Sequence, residues 1–127
     1  MKMAFTTLGC PAWDLDTVIE KGSTFGYAGV DFRGIQEEID VTKLPEFNSG
    51  IAETKQKLAD ADLAVCGISS SLKVCDASVT EANLEEAKRT IPIAAELSVP
   101  NIRVFGMGNP EENTKEALAA VGAGMME

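Results

Sequence analysis

The chain has 127 residues, 45% of them hydrophobic and 24% charged, which is enough apolar material for one core and argues against disorder. Eleven basic against 20 acidic residues give a net charge of -9, and this disfavours a nucleic-acid partner, whose binding rests on phosphate neutralisation by Lys and Arg. No apolar run approaches the roughly 20 residues that span a bilayer, and Met1 to Phe5 lacks the apolar stretch of a signal peptide, so the expectation is a single soluble, cytoplasmic unit over residues 1–127 with no membrane partner.

Met3 to Thr7 reads as a first strand, closed by the turn residues Gly9, Cys10 and Pro11. Asp14 or Asp16 suits the cap of a helix in which Leu15, Val18, Ile19 and Phe25 recur at near-helical spacing, with Gly22 weakening it and Gly26 ending it. Gly29 to Arg33 is a second strand, followed by a long connection to Asn48 that shows no clear period. Ser49 opens a second helix with Ile51, Leu58 and Ala61 on one face. Leu63 to Ile68 is a third strand, ended by Ser69, Ser70 and Ser71. Thr80, with Asn83 and the acids Glu81, Glu85 and Glu86, suits the start of a third helix, which Pro92 should kink. Asn101 to Phe105 is a fourth strand, and Asn113 or Thr114 starts a last helix.

Strands alternating with helices imply βαβ units and a parallel sheet. Gly26 to Gly34 also lines up with Ser98 to Gly106, each entering an even-numbered strand from a helix end and leaving through glycine. The fold class is therefore α/β: a parallel (β/α)4 half of a (β/α)8 TIM barrel.

Active sites of such barrels lie at the C-terminal ends of the strands. On strand two, Val30 and Phe32 suit the helix side, so Asp31 and Arg33 point inward; on strand four, Arg103 and Phe105 do. The glycine alignment puts Asp31 and Arg103 at one height, either as an internal ion pair or with Arg103 free for substrate. Arg33, nearest the mouth, contacts an anionic or polyhydroxylated substrate or pairs with Glu37, Glu38 or Asp40. Thr7, Ser69 and Ser70 offer hydroxyls for sugar hydrogen bonds or serve as turn and capping residues. Trp13, in the first loop, stacks on a sugar face or packs on the barrel rim. Gly106 and Gly108 make only a G-x-G, a weak phosphate signal. Cys10, Cys66 and Cys75 form no C-x-x-C pair and read as free thiols, and the absence of histidine removes the usual triad and zinc constellations.

The segments 3–11, 26–34, Lys43 to Phe47 and 94–106 resemble the sugar phosphate isomerase/epimerase family with its xylose isomerase-like barrel, over nearly the whole chain but over the N-terminal half of the family alone. The resemblance implies metal-dependent aldose–ketose isomerisation or epimerisation of a sugar or sugar phosphate. The divalent metal (Mn, Mg, Co or Zn) would sit on carboxylates and a histidine or similar ligand from later strands, so no catalytic residue and no metal ligand is assigned to this chain. What carries over is substrate-side, at Thr7, Arg33, Ser69 and Arg103; the family often has Glu where this chain has Asp31. The implied partners are the sugar and either the missing C-terminal half-barrel or further copies of the chain. The alternatives are a catalytically inactive half-barrel that self-associates, and a sugar-binding module without a metal centre.

Overall fold

The computed structural model describes residues 1–106. Four strands, β1 (Ala4–Thr6), β2 (Gly29–Phe32), β3 (Ala64–Lys73) and β4 (Ile102–Phe105), form one sheet in the order β1-β2-β3-β4, every neighbouring pair parallel. Helices α1 (Leu15–Thr24), α2 (Ile51–Asp60) and α3 (Thr80–Glu96) connect successive strands. The architecture is the parallel half-barrel that the alternation of periods predicts, and the last helix predicted from Asn113 or Thr114 lies outside the described residues.

Each helix covers one face of the sheet for a reason visible in its residues. Asp14 caps α1, its carboxylate accepting the Thr17 N–H at 2.8 Å, and Leu15, Val18 and Ile19 are buried. Gly22 is buried where α1 crosses β1: a Cβ there would stand 2.9 Å from the Phe5 ring, so the missing side chain permits the close approach. Leu58 of α2 and Ile93 and Ala94 of α3 complete the helix side, against Val30 and Phe32 of β2 and Val65 and Ile68 of β3. α3 runs unbroken through Pro92. Its N-terminus differs from the expectation: the Thr80 hydroxyl donates to the Ala77 carbonyl, and the side-chain cap belongs to Asp76 on the 3-10 turn just before it.

The long connection after β2 is built rather than loose. It carries two 3-10 turns, Val41–Lys43 and Pro45–Phe47. Ile35, Val41 and Phe47 are all inserted in the core, with Phe47 edge-on to Phe32 at 5.1 Å. Asp40 caps the first turn through the Thr42 N–H and is gripped from α3 by Arg89, Nη2 to Oδ2 3.1 Å. Burial works to raise the Asp40 pKa, but hydrogen bonds from Thr42 and Arg89 outweigh it and hold the carboxylate below its ordinary range. At the surface Lys57 bridges Asp16 of α1 and Glu53 of its own helix, and those hydrogen bonds push its pKa up to about 12.

β3 is longer than predicted and irregular twice. Val30 pairs with Val65 but Asp31 pairs with Gly67, so Cys66 is an extra residue in the ladder. This bulge explains why the buried apolar residues of β3, Val65 and Ile68, are three apart rather than two. Farther on, Ser69 pairs with Arg103 but Lys73 with Phe105. The serines expected to end the strand lie inside it: the Ser70 hydroxyl donates to the Arg103 carbonyl at 2.7 Å across the irregular stretch.

Candidate functional site

The concave side of the sheet, which would face a barrel axis, carries Thr6, Asp31, Arg33, Cys66, Ser69, Ser71, Arg103 and Phe105 together with small residues. Strand alternation after the β3 bulge places them there, while Val30 and Phe32 face the helices as predicted, and Val65 and Ile68 of β3 do so too. The wall is polar toward the C-terminal ends of the strands.

Asp31 is its centre. Its Oδ2 accepts from the Thr6 hydroxyl at 3.1 Å and from the Ser69 hydroxyl at 2.9 Å, linking β1, β2 and β3. Gly67 makes room for this, because a Cβ there would come within 2.7 Å of Asp31 Oδ1. The Cys66 thiol lies close by. Burial first, and the Asp31 carboxylate second, push its pKa up, so it stays protonated and unreactive at neutral pH.

Arg33 lies just past β2 and leans across to β3, with Nη1 donating to the Ser69 carbonyl at 3.0 Å and Nη2 to the Ser71 hydroxyl at 2.9 Å. Its backbone N–H is held by Thr7 Oγ1 at 3.0 Å, and the same oxygen accepts from Gly34 N–H at 3.3 Å. Thr7 is fully buried, so it supports the site from behind and its hydroxyl does not reach the mouth. The far end of β3 is pinned in turn by α3: Glu86 accepts the Ser71 N–H at 2.6 Å, and Asn83 makes two bonds to the Lys73 backbone. Sequence reading did not find Thr6, Ser71, Asn83 or Glu86. The Thr6 signal was present, since strand alternation puts it on the face of Asp31; the others depend on the irregular end of β3.

The expected Asp31–Arg103 ion pair is not formed. Phe32, Ile68 and Ile102 share one register level, so Arg103 is level with Ser69, two residues beyond Asp31 along the strands rather than beside it. The glycine alignment ignored the offset between strands. Arg103 instead lies over the Phe105 ring, 4.1 Å from its centroid. Arg33 makes no ion pair with Glu37, Glu38 or Asp40; Asp40 is taken by Arg89 and Lys43. Trp13 is not on the wall. It is half-buried in a groove of about 280 Å³ beside the β1 edge, with Phe5, Cys10, Lys21, Gly22, Phe25 and Tyr27 among its neighbours there.

Residues here do not fit a divalent cation. Among the described residues no group of three or more Cys, Asp or Glu side chains converges, and Asp31 is the single carboxylate on this wall, already engaged by two hydroxyls. Nor is any helix of the described residues long and apolar enough to cross a membrane.

No family model matches the sequence, and no curated protein matches it. Solved structures do. AsbF of Bacillus anthracis, a probable 3-DHS dehydratase involved in petrobactin synthesis, superposes with a TM-score of 0.75 at 17% identity, over 99% of this chain and 46% of AsbF. Protein SMc04130 of Sinorhizobium meliloti 1021 superposes with a TM-score of 0.66 at 16% identity, over 97% of this chain and 43% of its own. These neighbours are xylose isomerase-like TIM barrels. The chain has the fold of half such a barrel. It spans less than half the length of each of these two structures, in the manner of an N-terminal half. Asp31, Arg33, Ser69 and Arg103 lie on the concave wall toward the C-terminal ends of the strands.

Proposed function

We propose that this half-barrel is the substrate-binding wall of a sugar or sugar phosphate isomerase or epimerase, acting with a C-terminal half-barrel that supplies the metal ligands and the proton-shuttling acids. The observation that carries this reading is the hydroxyl–carboxylate cluster Thr6–Asp31–Ser69 beside Arg33. An ionised carboxylate accepts hydrogen bonds from sugar hydroxyls, and serine and threonine both donate and accept, so the cluster exchanges its own hydroxyl partners for those of a polyol at little cost. Arg33 keeps further N–H donors beyond the two it spends on β3, suited to a ring or carbonyl oxygen.

The test is nuclear magnetic resonance titration of the chain with a panel of ketoses and aldoses, followed through the amides of residues 31, 33, 67 and 69. Selective shifts that weaken at least severalfold in Asp31→Asn support the wall; sugars that move no amide on the concave side count against it. Added Mn2+, Mg2+ or Co2+ should produce no isomer from this chain alone, and turnover would overturn the half-site reading.

A second reading, a half-barrel that self-associates and is inactive on its own, is favoured by the β1 edge. That edge has no strand partner among the described residues, and it adjoins the aromatic groove of Phe5, Trp13, Phe25 and Tyr27, with Phe25 65% exposed. The same edge is where a complementary half-barrel or a second copy would add its strand.

A further inference from the structure

The cations of this acid-rich chain are divided by location. On the helix side and in the connecting loops, Lys21, Lys43, Lys55, Lys57, Lys88 and Arg89 each have a carboxylate within 4.0 Å. The two arginines of the concave wall, Arg33 and Arg103, have none among the described residues. Of the other described cations only Lys2, at the exposed N-terminus, and Lys73, at the exposed end of β3, share that condition. A shortage of partners does not explain it, because acids outnumber bases 20 to 11.

Arg33 and Arg103 are also held in place by neutral groups. Arg33 rests on the Ser69 carbonyl and the Ser71 hydroxyl, and Arg103 on the Phe105 ring. These contacts orient each guanidinium without cancelling its charge, and each retains free donors of the five it carries. Arg103 pairs with Ser69, and Arg33 directly follows Phe32, which pairs with Ile68, so the two arginines flank Ser69 from the β2 and β4 sides, two interstrand spacings or roughly 10 Å across the sheet. Arginine side chains are long enough to converge across that gap. Asp31 adds one negative charge two residues below, which leaves the described wall with a net positive charge inside a protein of net charge -9.

We propose that Arg33 and Arg103 form a two-arginine clamp for the anionic group of the ligand, a carboxylate or a phosphoryl group, while Thr6, Asp31 and Ser69 receive its hydroxyls. The clamp rests on the substrate-wall reading for the hydroxyl part alone. An anion placed between the two guanidiniums removes their mutual repulsion and gains charge-assisted, geometrically paired hydrogen bonds. A neutral sugar at the same place leaves both charges unmatched. The ligand class is therefore a polyol acid or a polyol phosphate.

Calorimetry on the 127-residue chain tests this with three probes: gluconate, inorganic phosphate and neutral sorbitol. Gluconate or phosphate, according to which anionic group the clamp takes, should bind saturably with a dissociation constant of about 1 mM, and sorbitol far more weakly. Arg33→Gln and Arg103→Gln should each weaken the anion about tenfold, the loss of one charge-assisted hydrogen bond, while Lys2→Gln leaves it unchanged. Arg103 is exposed and, among the described residues, rests on the Phe105 ring, so Arg103→Gln decides the matter even where Arg33→Gln disturbs the fold. Anion binding that neither arginine variant weakens, or that Lys2→Gln weakens equally, overturns the clamp. Sorbitol binding as well as gluconate while phosphate does not bind overturns it and leaves the polyol wall standing. Arginine-dependent anion binding in which Asp31→Asn does not affect gluconate keeps the clamp and removes the polyol wall.

Discussion

Thr7 shows how a residue at a strand end serves a site without touching a ligand. Its buried oxygen accepts the N–H groups of both Arg33 and Gly34, so Thr7→Val leaves two donors without their partner inside the protein. The expected loss is about 1–3 kcal/mol in urea unfolding, with Thr7→Ser retaining most of the wild-type stability. The ion pair of Asp40 and Arg89 acts through pH. The Asp40 pKa is held below its ordinary value of 3.8 in the folded chain, so its contribution is present above that value and is lost as the pH falls through the lower folded value. Removing the guanidinium in Arg89→Met weakens that pull. The variant should lose about 1–2 kcal/mol at pH 7 and show a shallower fall in stability below pH 4, measured by denaturant midpoints across an acid series. Both effects were hidden in the sequence. Thr7 was legible as a hydroxyl at the strand end, but its burial depends on a residue 26 positions away, and nothing in the helical pattern of α3 marks Arg89 as the partner of Asp40.

Among the elements, β3 carries the site, and its two irregularities decide what faces inward. The bulge at Cys66 lets Gly67 lie under Asp31. Gly67→Ala would drive a methyl group to 2.7 Å from Oδ1, displacing the carboxylate and breaking its bonds to Thr6 and Ser69. The expected cost is about 1–3 kcal/mol in thermal or chemical unfolding, together with loss of sugar-induced amide shifts. The end of β3 is held by α3 through side chains rather than by a full ladder. Asn83→Ala should therefore speed amide hydrogen exchange at Leu72 and Lys73 while changing global stability by under about 1 kcal/mol, because both bonds lie at the surface. Alternation from the apolar residues was a sound guide to β2, where Val30 and Phe32 are buried and Asp31 and Arg33 face the other way. It assigns no faces on β3, where a bulge and three serines interrupt the period, and serine clusters read as loop when no partner strand is in view.

Among the described residues of the whole molecule, a parallel four-stranded sheet with helices on one side leaves two edges and a polar concave wall. The solved structures that it superposes on are more than twice its length. Self-association through the β1 edge and its aromatic groove should therefore give a dimer or larger species in light scattering at micromolar concentration. Phe25→Asp should shift that distribution toward monomer, since Phe25 is the most exposed aromatic of the groove. A wild-type chain that is monomeric throughout would count against this. The parallel half-barrel was legible in the sequence alone. Alternating periods, with glycine after each even-numbered strand, specify βαβ units, and those signals are local, arising from how apolar residues repeat along one element. The face of each residue on β2 came from the same local rule. Which residues meet was decided only in three dimensions. The offset between neighbouring strands sets Arg103 level with Ser69 rather than Asp31, the β3 bulge turns Gly67 inward, and the loop after β2 sends Ile35, Val41 and Phe47 into the core. Register and bulges are settled by the pairing of segments far apart in the chain, and no single segment records that pairing.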